Sequence, residues 1–384
     1  MIPPGVVLDV RTVSPHFPGI GRVALGLAVA LERLGRPALI HAVPPDPRLP
    51  LPRLAGAGCA ATPFELRQQW EVPRLLRRLG ARLYHSPYYL VPYRPGVPTV
   101  VNCFDLIPLV EPGAFDRRRR FVYALAHRLA FRTAAAVCVP SEATRRDVAR
   151  LFPGSARKLC VVRPGVAGPR REPGGAHACS PPPGSRVAAV AGCPRAVLPP
   201  RYVLQVGANK PHKGLEVLLE AWALAVRQAP DTTAGTTLVL AGPRDPRFAE
   251  PARSVERFGL ALRVADLGEV SDGQLDALYA GASIVVCPSR REGFGLPLAE
   301  AMAWGRPCAC SDTPALAETA GGAAALFPAG DAPALAATLV GLLADDDERQ
   351  RLGELAVARA AAFDWDAAAR ETAAVYQRVA VGQV

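Results

Sequence analysis

Glu292 and Glu300 stand eight positions apart in the segment P-S-R-R-E-G-F-G-L-P-L-A-E spanning 288–300. An apolar strand precedes this segment, and a helix is expected to begin near Gly295. A carboxylate in the loop and a second one two turns into the helix can face one cleft, with backbone N–H groups exposed at Gly293 and Gly295 between them. Amides at a helix start attract anions. One acid beside a sugar, one on ribose hydroxyls and amides on phosphate is the chemistry of a nucleotide sugar. Glu292, Gly293, Phe294, Gly295, Leu296 and Glu300 are therefore donor-site candidates.

Two further loops join them. Gly207 opens G-A-N-K-P-H-K-G (207–214), which ends at a helix start and carries Lys210 and Lys213. A Lys ammonium there can neutralise a diphosphate. Near the N-terminus, Gly19 and Gly21, followed by Arg22, lead from a strand into a helix and let backbone N–H groups approach a phosphate. Other chemistries find no support. Gly19 and Gly21 do not begin a dinucleotide fingerprint, because Ala24 stands where G-x-G-x-x-G needs a third glycine, and 207–214 is not a Walker A loop. No G-x-S-x-G elbow is present, and the six His are dispersed without H-x3-H spacing. Asp364-Trp365-Asp366 matches D-x-D, but it precedes the last helix, where Asp366 is a natural N-cap. No metal is expected.

These loops need a frame. The chain has 384 residues, 50% hydrophobic and 21% charged, which suits about two domains with cores of their own. Short β-branched runs alternate with helical Ala/Leu/Arg stretches, the pattern of βαβ units around parallel sheets. Strands are predicted at 6–10, 38–43, 82–86, 99–104, 135–140 and 159–163, then at 202–206, 237–241, 263–267, 284–288, 307–310 and 323–327. Helices fit 20–34, 65–79, 114–133 and 142–152, then 214–228, 271–280, 295–304, 331–344, 347–361 and 366–379. Between the halves, Pro and Gly dominate and apolar periodicity disappears. The expected division is a domain over 1–166, a linker over 167–200, a domain over 201–362 and a terminal helix over 363–384.

The formal net charge is +11, and only Lys158, Lys210 and Lys213 among the 45 basic residues are Lys. The excess favours anionic partners without choosing among them. The nine Cys are scattered without a C-x-x-C pair, which fits a reduced cytoplasm. Neither a signal peptide nor a transmembrane run is expected. The run Arg117–Arg120, beside Phe121, Val122, Leu125, Leu129 and Phe131, reads either as a solvated helix face or as a peripheral contact with anionic membrane at its inner face.

The E-x7-E spacing of Glu292 and Glu300 is similar to the motif of the family-4 glycosyltransferases (glycosyltransferase group 1), retaining enzymes of the GT-B fold. Strand 202–207 with Lys213-Gly214 resembles that family's donor-phosphate loop, and Phe363-Asp364-Trp365 resembles the F-x-W that opens its final helix. The start Asp9-Val10-Arg11 with G-I-G-R (19–22), the stretch H-S-P-Y-Y (85–89) and P-T-V-V…D-L-I-P (98–108) resemble the mannosyltransferase-like branch. The resemblance departs where Phe104 replaces a His, Ala208 an Arg and His212 an Arg.

What it implies is an α/β chain of two Rossmann-like domains facing a central cleft, with a C-terminal helix crossing back to the N-terminal domain. The donor is a GDP- or UDP-linked sugar, mannose favoured, with no cofactor; the acceptor is a glycan or is lipid-linked. Glu292 sits by the sugar, Glu300 holds the ribose, and Lys213 and the loop after Gly207 meet the diphosphate. Gly19, Gly21 and Arg22 approach from the N-terminal domain, and Asp105 and His85 orient the acceptor. Two other readings compete: a nucleotide-sugar epimerase or dehydrogenase, and a non-catalytic anion- or nucleic-acid-binding scaffold. Without a nicotinamide fingerprint the first is disfavoured, and no nucleic-acid partner is expected.

Overall fold

The computed structural model describes residues 2–13, 18–35, 37–49, 54–111, 116–169 and 199–382. Most of the stretch read as a linker, 170–198, lies outside them, as do residues 14–17 ahead of Gly19. The chain forms two compact units, Met1–Gly165 with Phe363–Val384, and Val166–Ala362.

In the first unit the elements run β1 (Val6–Asp9), α1 (Pro18–Gly35), β2 (Ala38–His41), β3 (Gly56–Gly58), α2 (Gln68–Arg78), β4 (Leu83–Ser86), β5 (Thr99–Asn102), α3 (Ile107–Val110), α4 (Arg117–Thr133), β6 (Ala136–Val139), α5 (Glu142–Leu151) and β7 (Leu159–Val161). The sheet is parallel, in order β3-β2-β1-β4-β5-β6-β7. Its inner strands β1, β4, β5 and β6 are buried on both faces, which favours apolar residues along them. Val6 and Leu8 enter one core layer with Leu31 of α1, while Val7 enters the opposite layer with Val72 of α2 and Phe131 of α4. The sequence gives no sign of β3, because Gly-Ala-Gly has no apolar alternation and is recruited only by pairing with β2.

The last helix, α14 (Trp365–Ala380), belongs to this unit and not to the one that precedes it in sequence. Ala369, Val375, Tyr376 and Val379 enter the same layer as α1. Trp365 packs so closely on Gly26 and Gly165 that a Cβ at either would lie 2.3 or 2.5 Å from the indole. The N-cap of α14 is Asp364, which accepts from the Ala367 amide at 2.9 Å. That corrects the assignment of the cap to Asp366, which lies in the first turn and pairs with Arg33.

At the end of β1 the Asp9-Val10-Arg11 motif is an inward-facing ion pair, its side chains only 4% and 2% exposed. Arg11 Nη2 is 2.7 Å from Asp9 Oδ2, Arg11 Nη1 donates to the Ala61 carbonyl, and the Tyr84 hydroxyl donates to Asp9 at 2.6 Å. These bonds are structural, tying β1 to β4 and to the segment after β3.

The second unit contains β8 (Arg201–Val206), α6 (Leu215–Gln228), α7 (Pro230–Thr233), β9 (Thr236–Ala241), α8 (Ala252–Arg257), β10 (Val264–Asp266), α9 (Asp272–Gly281), β11 (Ile284–Cys287), α10 (Leu296–Ala303), β12 (Cys308–Ser311), α11 (Pro314–Ala320), β13 (Ala325–Phe327), α12 (Ala332–Ala344) and α13 (Asp346–Ala360). Its parallel sheet has the order β10-β9-β8-β11-β12-β13. The order reverses between β8 and β11, which stand side by side at the centre. In open α/β sheets, ligands bind beyond the carboxyl ends of strands at such a switch point. The loops after β8 and β11 are the two that carry Lys213 and Glu292.

Candidate active site

The two loops are stitched together by the backbone. Arg290 N–H donates to the His212 carbonyl at 2.7 Å. Gly214 has φ +69°, and a Cβ there would lie 2.1 Å from the Pro288 oxygen, so only glycine lets the loops meet. This closeness delivers Lys213 Nζ to Glu292 Oε1 at 2.6 Å, with side chains 18% and 12% exposed. Ser289 Oγ donates to the same oxygen at 2.7 Å. Burial pushes the Glu292 carboxyl up, but the Lys213 charge and the bonds from Lys213 and Ser289 outweigh it and hold the pKa below the ordinary value. The pair is ionic at neutral pH. His212 is neutral there: burial, then the nearby Lys213 charge, push it down to about 4.

The rest of the glycine loop is shaped by packing. Phe294 is buried at 6% exposure, and its carbonyl accepts from Thr319 Oγ1 of α11 at 2.6 Å. Gly295 has φ +91°, and a Cβ would strike Leu316 at 2.4 Å. The phenyl ring therefore serves the core, and what this turn offers outward is backbone. Gly295 precedes the first residue of α10, and helix geometry gives the Leu296 N–H no intrahelical acceptor. Glu300 lies in the second turn of α10, closer to the helix start than the two full turns expected, and accepts from the Tyr279 hydroxyl at 2.9 Å. Gly207 follows β8 directly, and a Cβ on it would touch Lys213 Cδ at 3.8 Å. Gly207, Lys213, Glu292, Gly293, Phe294, Gly295, Leu296 and Glu300 thus occupy the carboxyl ends of β8 and β11 or the helices that follow.

Asn209 and Ser289 have no role in the sequence reading, and Tyr279 enters it only as part of the Leu278-Tyr279-Ala280 segment that resembles the family's pattern. Asn209 is 3% exposed and donates to the carbonyls of Asp245, Phe248 and Glu250, fixing the loop after β9 against the loop after β8. Its place inside G-A-N-K was the available signal; the partners, some 36–41 residues away, were not visible.

Gly19, Gly21, Arg22, His85 and Asp105 all belong to the other unit. Helix α1 begins at Pro18, so Gly19 and Gly21 lie in its first turn and not in a loop ahead of it. Asp105 is half-buried; its Oδ1 accepts from the Ile107 amide at 3.1 Å at the start of α3. His85 is 1% exposed with both ring nitrogens engaged, Nδ1 with Tyr376 and Nε2 with Asn102. Both ring nitrogens of His85 are thus occupied by protein partners, so any part it takes in orienting an acceptor runs through Tyr376 or Asn102. Among the described residues, no group of three or more His, Cys, Asp or Glu side chains could hold a metal ion. The seven cysteines among them are buried free thiols. No helix among them is long and apolar enough to cross a membrane.

Two parallel-sheet α/β units, with the loops after β8 and β11 joined at the switch point of the second, make up the GT-B fold of glycosyltransferases. Solved structures share this fold. Sucrose-phosphate synthase from Thermosynechococcus elongatus aligns with TM-score 0.72 over 98% of this chain and 99% of that one, at 21% identity. Anabaena Alr3699/HepE, in complex with UDP and glucose, aligns with TM-score 0.72 over 96% and 98%, at 18% identity. The models "Glycosyl transferase 4-like domain" and "Glycosyl transferases group 1" match residues 18–165 and 200–345, and the chain belongs to this glycosyltransferase family. The O-antigen chain mannosyltransferase B of Escherichia coli is 28% identical over 312 residues, covering 81% of this chain and 77% of that protein.

Proposed function

We propose that this glycosyltransferase transfers a hexose, mannose favoured, from a GDP- or UDP-linked donor to a glycan or lipid-linked acceptor, with retention of configuration and without a metal. The observation that carries the reading is the 2.6 Å contact of Lys213 with Glu292 on loops joined at the switch point. A departing diphosphate needs positive charge and fixed N–H groups, and preorganised donors in a partly dry site supply them without reorganisation. Lys213, the loop after Gly207 and the start of α10 have that character. Glu292, held ionised, accepts from sugar hydroxyls; Glu300 serves the ribose diol. Mannose rests on the likeness to the Escherichia coli mannosyltransferase, and a nucleoside diphosphate on the UDP of the Anabaena protein.

Calorimetric titration with GDP-, UDP-, dTDP- and ADP-linked hexoses, followed by proton NMR of the glycoside formed, tests the proposal. Saturable binding of a GDP- or UDP-sugar, an anomeric configuration equal to the donor's and turnover unchanged by EDTA are expected. Inversion, or activity lost to EDTA and restored by Mg²⁺ or Mn²⁺, overturns the mechanism; absence of all nucleotide-sugar binding overturns the function.

A lipid-linked acceptor is supported by α4. This helix holds six arginines and no acidic residue, and Phe121, Val122 and Leu125 stand 68%, 57% and 44% exposed. Basic side chains beside exposed apolar ones suit the interface of an anionic bilayer. Vesicles containing phosphatidylglycerol should sediment the protein, and R117Q/R118Q/R119Q/R120Q should weaken that binding about tenfold or more. Equal sedimentation of the two proteins excludes α4 as the contact.

A further inference from the structure

Tyr376, His85 and Asn102 form a directed chain of hydrogen bonds within the N-terminal unit. The Tyr376 hydroxyl lies 2.6 Å from His85 Nδ1, and His85 Nε2 lies 2.7 Å from Asn102 Oδ1. Tyr376 and His85 are 0% and 1% exposed. Burial holds the imidazole neutral down to about pH 4 and pushes the Tyr376 phenol well above its usual range, so each keeps one protonation state at neutral pH. A neutral imidazole carries a single N–H. The Asn102 oxygen can only accept, so that proton sits on Nε2 and is donated to it, and Nδ1 accepts from the Tyr376 O–H.

The Asn102 carboxamide is therefore fixed oxygen-inward, with its amine on the opposite side. Among the described residues the amine has no protein partner. Asn102 lines a narrow cavity with Phe104, Pro140, Pro164 and Trp365, at the carboxyl ends of β5, β6 and β7, where open α/β sheets bind ligands. Aromatic and proline walls beside one fixed donor match the edge of a pyranose: apolar C–H groups against the walls, one oxygen on the amine.

We propose that Asn102 is the donor by which this unit binds and orients a hydroxyl of a glycoside acceptor, with Tyr376 and His85 as positioning residues that keep its amine outward. The inference rests on the transferase reading and assigns the acceptor contact to Asn102 rather than to His85.

NMR of the full ¹⁵N-labelled chain, titrated with methyl α-D-mannopyranoside, tests it. The expected results are an Nε2–H tautomer for His85, a shift of the Asn102 side-chain amine on addition of the glycoside, and binding weakened about tenfold or more by Asn102→Asp, which replaces the donor by an isosteric acceptor. Tyr376→Phe should release the His85 tautomer into a mixture and weaken binding about threefold, a signature that a merely packing role for Tyr376 does not produce. An Nδ1–H tautomer in the wild type, an unmoved Asn102 amine, or equal binding by Asn102→Asp overturns the proposal. Parallel titration with GDP and UDP, followed on the Gly207 and Lys213 amides, separates the two readings. Nucleotide binding with a silent Asn102 sinks this inference alone; a responsive Asn102 without nucleotide binding sinks the transferase reading and with it the acceptor role, leaving Asn102 as a glycoside contact only.

Discussion

Lys213→Ala should lower sugar transfer by roughly 10²–10³-fold, the usual loss on removing one preorganised charge-stabilising donor. The ammonium is held by Glu292 at 2.6 Å, so its position is set by the protein itself. Removing it deletes the side-chain cation that this loop pair holds against Glu292. Glu292→Gln should act differently. Transfer falls, because the carboxylate proposed to meet the donor sugar is gone. Affinity for GDP or UDP alone is unchanged or tighter, because Lys213 loses its internal competitor. Steady-state rates and calorimetry on the two variants separate these roles. Transfer by Lys213→Ala at the wild-type rate, with circular dichroism unchanged, would remove the phosphate role from Lys213.

Arg11→Met should destabilise the N-terminal unit by about 3–5 kcal/mol, the range found when one partner of a buried ion pair is removed. Asp9 would remain in the interior without its counter-charge, keeping the Tyr84 hydroxyl and the backbone amide of residue 11 as partners, and the Ala61 carbonyl would lose the guanidinium donor. The double variant Asp9→Asn/Arg11→Met should recover a large part of that loss, since an amide tolerates burial better than an unpaired carboxylate. Urea unfolding of the three proteins completes the cycle. A single variant as stable as the wild type, or a double variant whose losses simply add, would show that the pair is not the tie between β1 and β4. The D-x-R motif thus reads as architecture rather than chemistry.

Much of the fold was legible because its signals are local. Alternating apolar runs and Ala/Leu/Arg stretches report strands and helices residue by residue. Elements without such signals were missed. The edge strand β3 is Gly-Ala-Gly and exists only through its ladder with β2, and α11 is a seven-residue helix opened by a proline. The end of α14 was readable but its cap was not: Asp364 and Asp366 are equally good N-caps by type, and the packing of Trp365 on Gly26 and Gly165 sets the register. Within the site, Glu292 and Lys213 were legible from charge beside glycine. Ser289 and Thr319, which hold that loop in shape, look like any hydroxyl residue until their partners are folded against them.

Residue order alone determined the class of this protein: two parallel α/β units, an acidic pair at fixed spacing after an apolar strand, and a lysine at the start of a helix. Those properties are carried by neighbours along the chain, so spacing reveals them. Which groups are charged, buried or available was decided only by the tertiary structure. It pairs Lys213 with Glu292 across 79 positions, turns Asp9 and Arg11 inward, and occupies both nitrogens of His85, one of them through a tyrosine 291 positions away. Burial and proton placement depend on what the distant chain packs against each atom, and no local pattern encodes that.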